Sequence, residues 1–73
     1  MIAEDLSLEK LKVDDKLIIT VDTTAYEMTV WHIEPKGSAG RRESAGPWIM
    51  ARIRPGGFGV GFDYTTRMKV EKA

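Results

Sequence analysis

Lys16-Leu17-Ile18-Ile19-Thr20-Val21-Asp22, followed three residues later by Tyr26-Glu27-Met28-Thr29-Val30-Trp31-His32-Ile33-Glu34, is the stretch that decides the fold. In the first segment Leu17, Ile19 and Val21 fall on one face of an extended chain, and β-branched residues dominate, as a pleated and half-buried strand favours. The second segment alternates too. Tyr26, Met28, Val30 and His32 point one way, and Glu27, Thr29, Trp31 and Ile33 the other. Asp22-Thr23-Thr24-Ala25 between them reads as a turn, so the pair is predicted to be an antiparallel hairpin.

Working outward, Pro35 ends the second strand because it cannot donate to a ladder. Residues 35–47 contain no large apolar side chain and read as a long, mobile loop. Trp48–Arg54 returns to strand character, with Ile49, Ala51 and Ile53 on one face, and Pro55-Gly56-Gly57 is a turn. Phe58, Val60, Phe62 and Tyr64 then alternate with Gly59, Gly61 and Asp63. Glycines on one face of a strand mark a close approach by another group. Arg67–Lys72 closes the chain as a short strand with Met68 and Val70 inward. Residues 4–12 fit a helical turn or a strand equally well. The pattern as a whole predicts one all-β domain over residues 1–73, a small barrel or sandwich of four to five antiparallel strands with a long loop at about 35–47.

The chain has 73 residues, no cysteine and no net charge. A domain this small buries only about 60% of its unfolded surface. Association with another chain is therefore an attractive source of further burial. The absence of cysteine removes disulfides, thiolate catalysis and thiolate zinc sites. No apolar run approaches the roughly 20 residues that span a bilayer, which predicts no membrane partner. The first six residues, Met1–Leu6, lack the basic and apolar regions of a signal peptide, so a cytoplasmic location is expected. Charge is nonetheless uneven: residues 1–40 carry four lysines against eight acids, and residues 41–73 carry seven basic groups against three acids. Such asymmetry marks either an anion-binding face or two halves that pair across a sheet.

Catalysis needs a constellation of groups, and none can be assembled from this sequence, so the protein is expected not to be an enzyme and to need no cofactor or metal. His32 is the sole histidine and reads as a half-buried strand residue with one hydrogen bond. Asp14-Asp15 precedes a strand and fits a turn or cap. Gly56–Phe62 lacks the lysine and following helix of a phosphate loop. It also superficially matches the aromatic strand of an RNA-recognition fold, whose two helices this chain lacks. Trp31 and Trp48 read as core or core-edge residues, with stacking on a nucleic-acid base as the functional alternative, and strand parity favours partial exposure of one of them. Arg41 and Arg42 in the loop are either a solubility feature or phosphate contacts.

Two stretches resemble the carbon storage regulator family of small RNA-binding translational regulators. The first is Lys12-Val13-Asp14-Asp15-Lys16-Leu17-Ile18-Ile19 with Glu27–Ile33, and the second is Val60-Gly61-Phe62-Asp63 through Arg67-Met68-Lys69-Val70-Glu71-Lys72. Together they cover 28 of the 73 residues. Asp14 stands where the family has glycine, Tyr64-Thr65 replaces Ala-Pro, Lys72 replaces an RNA-contacting arginine, and residues 35–57 would be an insertion. The resemblance implies an intertwined homodimer whose first strand lies beside the last strand of the other subunit, with that edge gripping single-stranded loops in messenger RNA and so regulating translation. Carried over, Lys12 and Lys72 would contact RNA, with Lys10, Arg67 and Lys69 as neighbours. The alternative is a protein-interaction module of the SH3-like small-barrel type, taking a peptide as an added strand or in an aromatic groove.

Overall fold

A computed structural model describes residues 2–73. Five strands form one antiparallel sheet: β1 (Lys16–Val21), β2 (Thr24–Glu34), β3 (Trp48–Arg52), β4 (Gly59–Phe62) and β5 (Lys69–Lys72). Their order in the sheet is β4-β3-β2-β1-β5, so the first four strands meander and the fifth returns to lie beside the first. This is the small all-β architecture that the alternation predicts. Residues 4–12 resolve as a single 3-10 turn, Leu8–Lys10. No helix among the described residues is long and apolar enough to cross a membrane.

The core is built from the inward face of every strand and from the N-terminal turn. Leu17, Ile19, Met28, Val30, Ile49, Ala51, Phe62 and Val70 are fully buried, and Leu6, Leu8 and Leu11 close one end. Each of these strand residues sits at the parity its alternation gives it. Tyr26, Ile53 and Val60 pack at the margin of this cluster.

The β1–β2 turn is shorter than expected. Thr24 and Ala25 already belong to β2, opposite Val21 and Thr20, which leaves Asp22-Thr23 as a two-residue hairpin loop. Asp22 takes φ +56°, the positive first angle of a mirror-image hairpin turn whose twist matches the strands. Phe58 and Tyr64 lie outside β4, which ends at Phe62, and both are substantially exposed.

The 35–47 connection is anchored. It carries two 3-10 turns, Ser38–Gly40 and Glu43–Ala45, and Ala45, Gly46 and Pro47 are buried. Arg41 fixes it by donating from Nη2 to Asp63 Oδ2 at 2.6 Å and to the Gly46 carbonyl at 3.3 Å. Gly46 has φ +75°, and a Cβ there would lie 2.6 Å from the Tyr64 ring. Tyr64 in turn accepts from the Leu8 amide at 2.8 Å and donates to Glu9 at 2.5 Å. One aromatic side chain thus ties the loop to the N-terminal turn.

β1 and β5 pair within a single chain, Leu17 opposite Lys72 and Thr20 opposite Lys69. The first-to-last strand contact that the family resemblance places between two subunits is made here inside one.

Candidate functional site: an aromatic and cationic ridge on the outer face

The outer face of the sheet takes its shape from an irregularity in β2. Val30 lies opposite Ala51 and His32 opposite Met50, which leaves Trp31 as an extra residue without a partner on β3. A bulge of this kind bends the strand and re-aims side chains. Trp31 and His32 therefore both face solvent, and Ile33 returns to the core, so the alternation read from the sequence breaks at this point. His32 is exposed rather than half-buried, with Nε2 3.6 Å from a Glu34 carboxylate oxygen.

Trp31 is 39% exposed, unusual for so large an apolar ring. The Arg52 guanidinium from β3 lies over it, 4.7 Å from the ring centroid, a cation–π geometry. Beside this pair runs a cross-strand row. Gly59 lies opposite Arg52, Arg52 opposite Thr29, and Thr29 opposite Lys16. Lys16 donates from Nζ to the Thr29 hydroxyl at 2.9 Å, which holds the ammonium along the row. Four strands at about 4.8 Å spacing make the row roughly 14 Å long.

Trp31 and Arg52 form a ridge between two shallow hollows. One, of about 390 Å³, has a floor containing Gly57, Gly59 and Gly61 and a wall at Met50. The other, of about 430 Å³, is lined by Val13, Asp14, Lys16, Thr29 and Arg54. The glycine floor has a packing cause as well. The Trp48 indole lies directly over Gly61, where a Cβ would collide with it, and Arg41 covers Trp48 at 4.9 Å from the ring centre. Trp48 is accordingly the partly buried tryptophan and Trp31 the exposed one.

The cations singled out in the sequence lie elsewhere. Arg67 and Lys69 line a hollow beside β5 together with Glu4 and Glu71, and Lys69 sits 3.8 Å from Glu71. Lys10, Lys12 and Lys72 are exposed and do not line that hollow, and Arg42 is exposed between the two 3-10 turns of the loop. Arg41 is committed to Asp63 and Trp48. The charge asymmetry of the sequence has no counterpart in the ion pairs of the described residues: His32–Glu34, Arg41–Asp63 and Lys69–Glu71 each join groups from the same half.

Asp63 is the most buried polar residue. Burial pushes its carboxyl up, but hydrogen bonds from the Thr65 hydroxyl and amide and the Arg41 guanidinium outweigh that and hold it below the ordinary carboxylate range. Glu9 is held below its ordinary value chiefly by the Tyr64 hydroxyl.

In the sequence Trp31 fits core and stacking roles alike, and nothing marks Lys16 or Arg52. Their juxtaposition depends on register and on the bulge, which no local pattern displays. Among the described residues no three or more His, Asp or Glu side chains group as metal ligands. Phe62 is buried in the core and Phe58 packs against Tyr26, so those two rings do not form a base-stacking strand. Comparison of the chain with family models, with curated proteins and with solved structures finds no match to any of them.

Proposed function

We propose that this is a non-catalytic binding module that takes single-stranded RNA across the outer face of β2, β3 and β4. The observation that carries this reading is the exposed Trp31, set on a bulge, backed by Arg52 and flanked by Lys16 and Arg54. Single-strand binders combine a stacking ring with cations that track the phosphates, and that pairing is what this ridge offers. A base stacks on the indole, and the backbone on either side meets Lys16 and Arg54. RNA is also the ligand implied by the resemblance to the carbon storage regulator family, and translational regulation from a cytoplasmic location would be the consequence of occupying a messenger. Lys69 and Lys72 on β5, with Arg67 just before it, would be a secondary contact, weakened by Glu4 and Glu71 beside Arg67 and Lys69.

The test is titration of the folded protein with short single-stranded RNA of mixed sequence, followed by tryptophan fluorescence. Binding that weakens as salt rises, with quenching lost in Trp31→Phe, is expected. A folded sample that binds no RNA at low salt contradicts the proposal.

A second reading is a peptide-binding module. It is supported by an apolar hollow of about 330 Å³ lined by Leu8, Leu11, Ile33, Pro35 and Pro47. Chemical-shift changes confined to those residues on adding a proline-rich peptide, with none on adding RNA, would favour it.

A further inference from the structure

Among the described residues β4 is an edge strand, hydrogen-bonded to β3 alone. The Ile53 amide donates to the Phe58 carbonyl at 2.9 Å, which marks that pair as a hydrogen-bonded position of the β3–β4 ladder. Hydrogen-bonded and non-hydrogen-bonded pairs alternate along an antiparallel ladder. The register runs without a shift from Arg52–Gly59 to Ile49–Phe62, so Val60 and Phe62 also bond to β3. Gly59 and Gly61 are then the residues whose amides and carbonyls turn away from the sheet.

The opposite edge is not equivalent. β5 is covered by the N-terminal segment, through an Ile2–Val70 bridge and an Ala3 amide bonded to the Val70 carbonyl at 2.9 Å. Open strand edges are normally guarded by charged side chains, prolines or bulges. Residues 56–62, Gly-Gly-Phe-Gly-Val-Gly-Phe, carry none of these, and Phe58 at the entry to the strand is 48% exposed.

We infer that β4 docks a second copy of this chain, strand to antiparallel strand, about a two-fold axis at Val60. Gly59 and Gly61 are placed symmetrically about Val60. A two-fold operation therefore sets Gly59 against the partner's Gly61 and Gly61 against the partner's Gly59, and four backbone hydrogen bonds form. Val60 meets the partner's Val60, and exposed Phe58 lies opposite the partner's Phe62. Two observations choose a second copy as occupant. The edge is uncharged and the chain has no net charge, so two copies approach without repulsion. In addition, β4 is the edge left uncovered among the described residues, so a partner copy has its own β4 to offer. Self-complementary pairing of one patch is the usual geometry of a homodimer. The axis stands perpendicular to the sheet, so the outer faces run on continuously. Two Trp31 ridges then share one surface, about 24 Å apart across the strands over five strand spacings. This inference stands whether or not the ridge binds RNA.

Sedimentation equilibrium over a concentration series, with amide hydrogen exchange at each end of it, tests the assembly. The mass is expected to rise from 8.2 kDa toward twice that. Gly59 and Gly61 amides, fast in the monomer, should become protected as it does. Phe58→Lys, on an exposed side chain, should raise the dimer dissociation constant about tenfold or more while leaving the circular-dichroism spectrum unchanged. A monomeric mass at millimolar concentration overturns the inference. So does a dimer in which both glycine amides still exchange fast, or one that Phe58→Lys leaves intact.

Discussion

Arg52 on β3 holds its guanidinium 4.7 Å from the centre of the Trp31 ring on β2, and the two residues separate two hollows on the outer face of the sheet. Trp31 has no partner on β3, so its indole is presented by a bulge and steadied by a cation rather than by the core. Replacing Trp31 with Ala should therefore cost little stability. Its effect should fall on RNA affinity, by about 1–3 kcal/mol, the measured worth of one base–aromatic stack. Fluorescence anisotropy of a labelled oligonucleotide, read alongside urea unfolding, separates the two effects.

Lys16 sits in the cross-strand row with its ammonium held by Thr29. Lys16→Ala is expected to reduce the dependence of log affinity on log salt by about 0.7, the contribution of one phosphate on a single strand. Arg52→Lys should keep that slope and still weaken binding, because lysine lacks the planar group that stacks on the indole. Equal slopes for wild type and Lys16→Ala would remove Lys16 from the interface.

The Arg41–Asp63 pair joins the long loop to the turn after β4 at 2.6 Å, with Asp63 nearly buried. Asp63→Asn leaves Arg41 without its counter-ion and should cost about 3 kcal/mol, the lower end for breaking a buried pair. Because the folded-state carboxyl titrates below its unfolded value of about 3.9, the pair's stabilisation is fully present above that pH. It is lost as the pH falls from there toward the lower folded value. Urea unfolding from pH 7 down to pH 3 should show wild type losing stability at the acid end, with Asp63→Asn losing less.

Asp14 adopts φ +82°, a region that costs an L-residue more than it costs glycine. Its amide bonds to the Val30 carbonyl at 2.8 Å, so the turn geometry is imposed by β2. Asp14→Gly should raise stability by about 0.5–1 kcal/mol, the strain relief exceeding the entropic cost of glycine. Thermal unfolding at neutral pH gives the sign.

What could be read in advance follows from the range of the interactions. Leu17 and Ile19, Ile49 and Ala51, and Phe62 and Val70 advertise their strands because burial on one face imposes a period of two. The bulge at Trp31 does not advertise itself, since His32 and Ile33 extend the alternation equally well on paper. The anchoring of residues 35–47 was hidden for a different reason. It rests on contacts distant in sequence, Arg41 meeting Asp63, 22 positions away, and Gly46 packing under the Tyr64 ring, rather than on large apolar residues in the loop. The glycine face was legible as a close approach, and the group that approaches, Trp48 over Gly61, needed the register of β3 against β4. The family resemblance pointed to Lys72 with Arg67 and Lys69, at and beside β5, whereas the cations beside the aromatic ring come from β1 and from the β3 region, at Lys16, Arg52 and Arg54.

The most direct measurement is a two-dimensional amide and indole NMR titration with single-stranded RNA at low salt. The account predicts that the Trp31 indole resonance, the Arg52 side chain and the amides of Lys16, Thr29 and Gly59 shift together, while Trp48 stays in place. Shifts confined to the β5 side, or none at all from a folded protein, would contradict it.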